Sequence, residues 1–439
     1  QLKILQLFSR YLQYGGEEGS VYRIGDTLAE KFQTEYFIAS SEKLITKNRV
    51  TQLALAYRNG EVLRKLEKYQ QIGKFNCWQI HNVFPAISPG AYTLAEKLGV
   101  PIIHYLHNYR MGCVNGFWFT QGKECQKCSA GNFVHGAIGK CWKDSYAHSS
   151  VMALLLADTR RRGLFDQVRR WIAISHAQKK AHIGMGINGD RIDVVHHFLE
   201  QNESDSIPVF PANGYALFIG RLSPEKGVEH LLDAWALLGT SRRLIIAGDG
   251  PDSEKLQEKA SRMRLNNVTF AGFVKPSDQK ALWAGAAFSV VPSIWQEPFG
   301  MVVLEAWAQA RPVVAHRIGA LPELITDGVN GYLANPSDVI DLASVLETSF
   351  KAGSDLREMG RNGLKRLNKY IVMQTLHEIL CRESRNKLQR AYLIYPMLIL
   401  VFSIAVDYSR FLNFSLVPII CVLSLVIFSL YLPSRQLII

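Results

Sequence analysis

A chain of 439 residues with 48% apolar and 20% charged side chains is long enough for two core-bearing domains and too apolar to be disordered. Its formal net charge of +12 fits an acidic substrate, a membrane surface or nucleic acid, and bulk charge does not choose among them. Seven cysteines, an odd number spread along the chain, exclude a small scaffold stapled by disulfides.

In chain order, LKILQLF (2–8) is strand-like and runs into a loop containing Gly15 and Gly16, with a helix from about Glu18. No basic leader with a small-residue cleavage site precedes this strand, which predicts a cytoplasmic setting for the folded part. CWQIHNV (77–83) and VPIIHYLH (100–107) are further strands, with the helical GAYTLAEKLG between them. RWIAIS (170–175) and RIDVVHH (191–197) close this half, and QNESDSIPVFPANG (201–214), polar with two prolines, reads as a linker. The pattern restarts with YALFIG (215–220), RRLIIAG (242–248), NNVTFAG (266–272), AAFSVVPS (286–293) and RPVVAH (311–316). Strands alternating with helices predict an α/β fold of two parallel-sheet domains, 1–208 and 209–380, with a ligand cleft between the carboxyl ends of their sheets.

The remainder, 381–439, is of another kind. Two uncharged apolar runs, 391–406 and 416–432, stand at the short limit of the roughly 17–25 residues that span a bilayer. Arg382, Arg385, Lys387 and Arg390 precede them, and the positive-inside bias would keep the domains upstream on the cytoplasmic side. The expectation is a basic segment followed by two membrane-inserted helices; the alternative is a buried helical hairpin.

Two stretches carry chemistry. In FIGRLSPEKGVEHLLDAW (218–235), Arg221 and Lys226 follow a strand and precede a helix, where a guanidinium fork, an ammonium and helix N–H groups suit a diphosphate. A solvated turn is the alternative. In SIWQEPFGMVVLEAWAQARPVVA (293–315), the helix is expected from Gly300, with Pro298 near its first turn. Glu297 then lies just outside the helix N-terminus and Glu305 in its second turn. The amides of Phe299, Gly300 and Met301 between them can form an anion nest. Otherwise Glu297 is a helix-dipole partner and Glu305 a solvated helix residue.

GRLSPEKG, AGDGP, VTFAGFV, PSIWQEPFGMVVLEAWAQARPVVA and GALPELITDGVNGYL, in this order and spacing, resemble the retaining glycosyltransferases of family 4, which have the GT-B fold. The resemblance covers about 1–380 and is strongest over 217–335. It implies two Rossmann-like domains facing a cleft and a UDP- or GDP-linked sugar as co-substrate. Arg221 and Lys226 would take the diphosphate, Glu305 the ribose, and Glu297 with the Phe299–Met301 amides the donor sugar. Phe273 and Val274 fall where the family lines its base pocket, and Gly15-Gly16 match its glycine-rich N-terminal loop. The family's histidine is assigned to His107, followed by Asn108 where many members have Asp; His104 is the competitor, off the same strand.

By the same resemblance the leaving diphosphate is stabilised by cations and amides, so transfer with retention requires no metal. The implied acceptor is a lipid-linked saccharide of a bacterial surface polysaccharide, at the cytoplasmic side of the inner membrane. The basic groups Arg160, Arg161, Arg162, Arg169, Arg170, Lys179 and Lys180 fit that setting, and equally a solvated helix face. The rival readings are another GT-B enzyme, such as a sugar-nucleotide epimerase or a phosphorylase, and a non-catalytic scaffold that binds sugar nucleotides. No basic–aromatic repeat or motif points to nucleic acid.

Four cysteines remain, Cys113, Cys125, Cys128 and Cys141, in an insertion at 113–141. The central Cys-x-x-Cys fits half of a tetrahedral zinc site, which makes structural zinc one expectation and buried small hydrophobes the other.

Overall fold

A computed structural model of the protein describes residues 2–10, 16–42, 46–199, 210–211, 213–367 and 378–379. Two six-stranded parallel sheets organise them. The first contains β1 (Lys3–Arg10), β2 (Gln33–Ser40), β3 (Cys77–Asn82), β4 (Ile102–Tyr105), β7 (Val168–Ala173) and β8 (Ile192–Val194), in the order β2-β1-β3-β4-β7-β8. Between β4 and β7 a small antiparallel hairpin, β5 (Phe119–Thr120) and β6 (Lys123–Glu124), turns at Gln121 and Gly122, both of positive φ. The second sheet contains β9 (Tyr215–Ile219), β10 (Leu244–Ala247), β11 (Val268–Gly272), β12 (Ala286–Val291), β13 (Val313–His316) and β14 (Gly331–Ala334), in the order β11-β10-β9-β12-β13-β14.

Strands covered by helices on both faces read as unbroken apolar runs, and every residue of β3 and of β12 is buried. Four strands were not expected from sequence: the short hairpin pair β5 and β6, and one strand of each sheet. β2 opens on Gln33, Thr34 and Glu35 and is only half-buried, and β14 is four residues long behind a turn at residues 328–330. Expected strand ends shorten by a few residues; Pro298 and Gly300 precede the helix Met301–Ala308 rather than lie in it, because Gly300 adopts φ 102° as its N-cap.

In the second sheet the strand order reverses between β9 and β12, and in the first between β1 and β3. Such switch points open a crevice at the carboxyl ends of the strands. The loops leaving β9 and β12 are GRLSPEKG and PSIWQEPFG. One apolar cluster joins the halves: it contains Ile4, Ile103 and Ile172 of the first sheet together with Phe299, Val303 and Trp307 of the second domain.

Gly15 and the apolar runs at 391–406 and 416–432 lie outside the described residues. Among the described residues, no helix is long and apolar enough to cross a membrane.

Candidate functional site

Close backbone packing builds the second domain's side of the cleft. Gly227 sits at φ 70°, and a Cβ there would come within 1.9 Å of the Pro292 carbonyl oxygen, so the β9 loop presses on the end of β12 in a way only glycine permits. The Ile294 amide donates to the Glu225 carbonyl at 3.0 Å and ties the two loops together. Lys226 Nζ thereby stands 3.0 Å from Glu297 Oε2 and 3.3 Å from Oε1. The same Oε2 accepts from Ser293 Oγ at 3.1 Å and Trp295 Nε1 at 2.9 Å, and Lys226 also lies over the Trp295 ring. Gly319 backs this loop, where a Cβ would be 2.4 Å from the Glu297 amide nitrogen, and Ala320 N donates to Glu297 O at 2.9 Å.

The sequence assigned Lys226 and Glu297 to separate parts of one ligand; the structure joins them to each other. An ammonium has three N–H donors, so the pair leaves Lys226 at least one for an anion. Glu297 is buried with its carboxylate held by three neighbours, which makes it a fixed charge and hydrogen-bond acceptor rather than a mobile nucleophile. Arg221 is exposed at the cleft, and its side chain forms no ion pair or hydrogen bond among the described residues. The amides of Phe299, Gly300 and Met301 likewise meet no backbone acceptor there. Burial pushes the Glu305 carboxyl above its ordinary pKa, opposed by Arg23 from the first domain's leading helix, Gly16–Ala29.

A cleft of about 420 Å³ brings together Gly16, His107, Arg221, Lys226, Glu297, Phe299, Gly300, Met301 and Glu305. Phe273 and Val274 are not in its lining, and the Phe273 side chain at the end of β11 is 73% exposed. His104 is also outside it: buried and stacked on Trp171 at 4.9 Å, it is a packing residue whose pKa burial lowers to about 3. His107, past the end of β4, faces the cleft, with Nε2 2.8 Å from His81 Nδ1, and burial holds both rings well below the usual histidine pKa. Glu17 lines the same wall; burial raises its carboxyl to about 7 against the pull of Arg110, and Asn108 Nδ2 donates to it at 3.2 Å.

Four residues of this region had no sequence signal of their own. Ser293 and Trp295 were read as strand end and loop, and His81 as part of a strand. Glu323, within GALPELITDG, accepts from the amides of His176 at 2.8 Å and Ala177 at 2.5 Å, so a second-domain carboxylate caps the first domain's helix His176–Gly184. Beside it, Ser175 Oγ donates to Pro298 O at 2.7 Å.

The four insertion cysteines do converge, around a pocket of about 270 Å³ that His135 also lines. As placed, the described residues contain no group of three or more His, Cys, Asp or Glu able to hold a metal ion. Two of the thiols have side-chain partners: Cys113 Sγ donates to Asn115 Oδ1 at 3.0 Å and Cys141 Sγ contacts Thr120 Oγ1 at 3.9 Å, while burial raises Cys128 to about 11.

Residues 200–366 match the model of the family Glycosyl transferases group 1. An uncharacterised glycosyltransferase of Methanocaldococcus jannaschii is 37% identical over 161 residues, 35% of this chain and 41% of its own length. Alpha-D-kanosaminyltransferase of Streptomyces kanamyceticus is 27% identical over 262 residues, 58% of this chain and 63% of its own. The chain thus spans under two thirds of the length of either relative. Among solved structures, HepE of Anabaena in complex with UDP superposes with a TM-score of 0.61 at 20% identity, covering 87% of this chain and all of HepE. Residues 200–366 are thus similar to the group 1 glycosyl transferases, and the described chain as a whole has the GT-B fold.

Proposed function

We propose that the protein transfers a hexosyl unit from a nucleoside diphosphate sugar to a saccharide acceptor with retention of configuration, as a member of family 4. The observation that carries this reading is the convergence, at the switch point of the second sheet, of Arg221, Lys226, three unpaired amides and two carboxylates eight residues apart. Arg221 and Lys226 take the diphosphate, and the amides of Phe299–Met301 receive charge as the leaving group departs. Glu305, without a hydrogen bond among the described residues, takes the ribose hydroxyls. Glu297, locked by Lys226, Ser293 and Trp295, orients the sugar. Because that carboxylate is held, substitution on one face of the sugar fits better than a glycosyl-enzyme intermediate.

The UDP in HepE favours a uridine nucleotide, with GDP as the competitor. The acceptor is a lipid-linked saccharide of a bacterial surface polysaccharide, handled at the cytoplasmic side of the inner membrane. Supporting this are the apolar runs at 391–406 and 416–432, the arginines and lysine before them, and the net charge of +12.

A thermal-shift series with UDP- and GDP-sugars tests the reading. The cognate donor at 100 times its dissociation constant should stabilise the protein by about 2.7 kcal/mol, and NMR of the product should show the donor's anomeric configuration. Absence of a shift with every nucleotide sugar overturns it; an inverted product refutes retention.

A further inference from the structure

We propose that Gln6 and His81 are positioning residues that keep the proton of His107 on Nε2, so that its bare Nδ1 faces the cleft as acceptor for one saccharide hydroxyl. A chain of four polar groups, threaded through the apolar first sheet, carries the inference. Gln6 on β1 and Gln79 on β3 stand opposite each other in the sheet register, both with no exposed surface. Gln6 Nε2 donates to Gln79 Oε1 at 3.3 Å, which turns the Gln6 carbonyl toward His81. His81 Nε2 lies 2.5 Å from Gln6 Oε1, and His81 Nδ1 lies 2.8 Å from His107 Nε2.

The amide orientation then fixes each link in turn. Gln6 Oε1 can only accept, so His81 Nε2 must carry a hydrogen. His81 is buried with no carboxylate bonded to it, and burial keeps the ring uncharged, so its Nδ1 is a lone pair. That lone pair can only accept from His107, whose hydrogen is therefore on Nε2. The remaining nitrogen, Nδ1, has no hydrogen-bond partner among the described residues and is not sealed inside the protein. Ring contacts fix the ring plane: His107 packs against Tyr105 at 5.1 Å and His197 at 5.7 Å, within 20° of both, those two rings are themselves 6.0 Å apart, and His197 meets Phe299 at right angles across the cleft.

What this wall offers a ligand is a fixed, uncharged acceptor opposite the cationic wall of Arg221 and Lys226. An uncharged acceptor suits a hydroxyl and gives nothing to a phosphate. That the hydroxyl belongs to a saccharide rests on the transferase reading above; the position of the proton does not.

Two measurements on the full chain separate these claims. Long-range ¹⁵N–¹H correlation on histidine-labelled protein, with His107→Asn to assign the signal, reads the tautomer directly. The expected result is a proton on Nε2 and none on Nδ1; a His107 protonated at Nδ1 means the relay runs in the opposite sense and overturns the proposal. Second, His81→Phe keeps the ring volume but removes the acceptor, and should lose the single tautomer together with roughly tenfold or more in kcat/KM. His81→Gln, whose carbonyl can again accept from His107, should restore both. Should His81→Phe not fold, Gln6→Met asks the same question from the far end of the relay. Wild-type kcat/KM in His81→Phe, or equal damage in His81→Gln, refutes the positioning role. UDP-induced stabilisation should be the same in all variants. If the wild type itself shows neither transfer nor stabilisation by any nucleotide sugar, the transferase reading fails, while the tautomer spectrum still decides the relay.

Discussion

The two halves of the molecule share an architecture and build their walls of the cleft by different means. In the second domain, loops are locked at van der Waals distance by glycines at 227, 248 and 319, and charged side chains are then set on that rigid backbone. In the first, the cleft-facing histidine is held by hydrogen bonds and stacking among buried polar side chains drawn from β1, β3 and the segment beyond β4. The lesson is that a wall made from backbone demands particular residues at fixed spacing, whereas a wall made from side chains needs only compatible partners far apart in sequence. The family model follows the same division, since its match begins at residue 200.

The largest test breaks the second domain's wall. Lys226→Ala and Glu297→Gln should each lower kcat roughly 10²- to 10³-fold while the circular dichroism spectrum stays native; activity near wild type in either would mean that the pair serves packing alone.

Acid should distinguish the halves next. Burial depresses His104 and His197 to about 3 and His182 to about 4 in the first domain, and His316 alone, to about 4, among the described histidines of the second with a resolved shift. Against an unfolded value near 6.5, the unfolded chain binds more protons between these limits. The stability is therefore complete above about pH 6.5 and falls as pH drops toward 4, by up to about 1.4 kcal/mol per pH unit for each group. Glu17, raised to about 7, opposes this as one group against several. Hydrogen exchange at pH 5 should show amides of the first sheet opening before those of the second; the reverse order would contradict the assignment.

A finer test concerns Glu305. Glu305→Ala removes one hydrogen-bonding group and should weaken nucleotide-sugar binding roughly tenfold, with a smaller effect on turnover, read by titration and by KM against kcat. The smallest expected effect concerns the cysteines: a zinc chelator should leave the melting temperature unchanged, because no group of three or more ligating side chains is placed to hold a metal among the described residues, and Cys113 and Cys141 have protein partners. A chelator-dependent drop would revive the metal.

The same division explains what the sequence disclosed. Glycines, prolines and charges clustered in GRLSPEKG and SIWQEPFG announced the second cleft wall, and unbroken apolar runs announced most of both sheets. β2 escaped notice because a half-buried edge strand that starts Gln-Thr-Glu lacks such a run. Gln6 and His81 were unremarked because a polar residue inside a strand gains meaning only once its neighbour is known; the usable signal would have been polar residues in both LKILQLF and CWQIHNV. Phe273 carried a family position that the β11 loop does not bring to the cleft. Lys226 and Glu297 were both named, but their bond to each other depends on the loop contact at Ile294, which no local pattern encodes.

The hydrogen bond from Ser175 to the Pro298 carbonyl bears on how the two halves could move. Pro298 directly follows Glu297 and precedes the cleft-lining residues Phe299, Gly300 and Met301, so one short strap serves both as a joint between the halves and as part of the proposed donor site. Any rotation of one half against the other pulls on the peptide that carries Glu297. On the proposed transferase reading, opening the cleft to release product and loosening the grip on the donor are then a single mechanical event, and a mutation aimed at either will register in both.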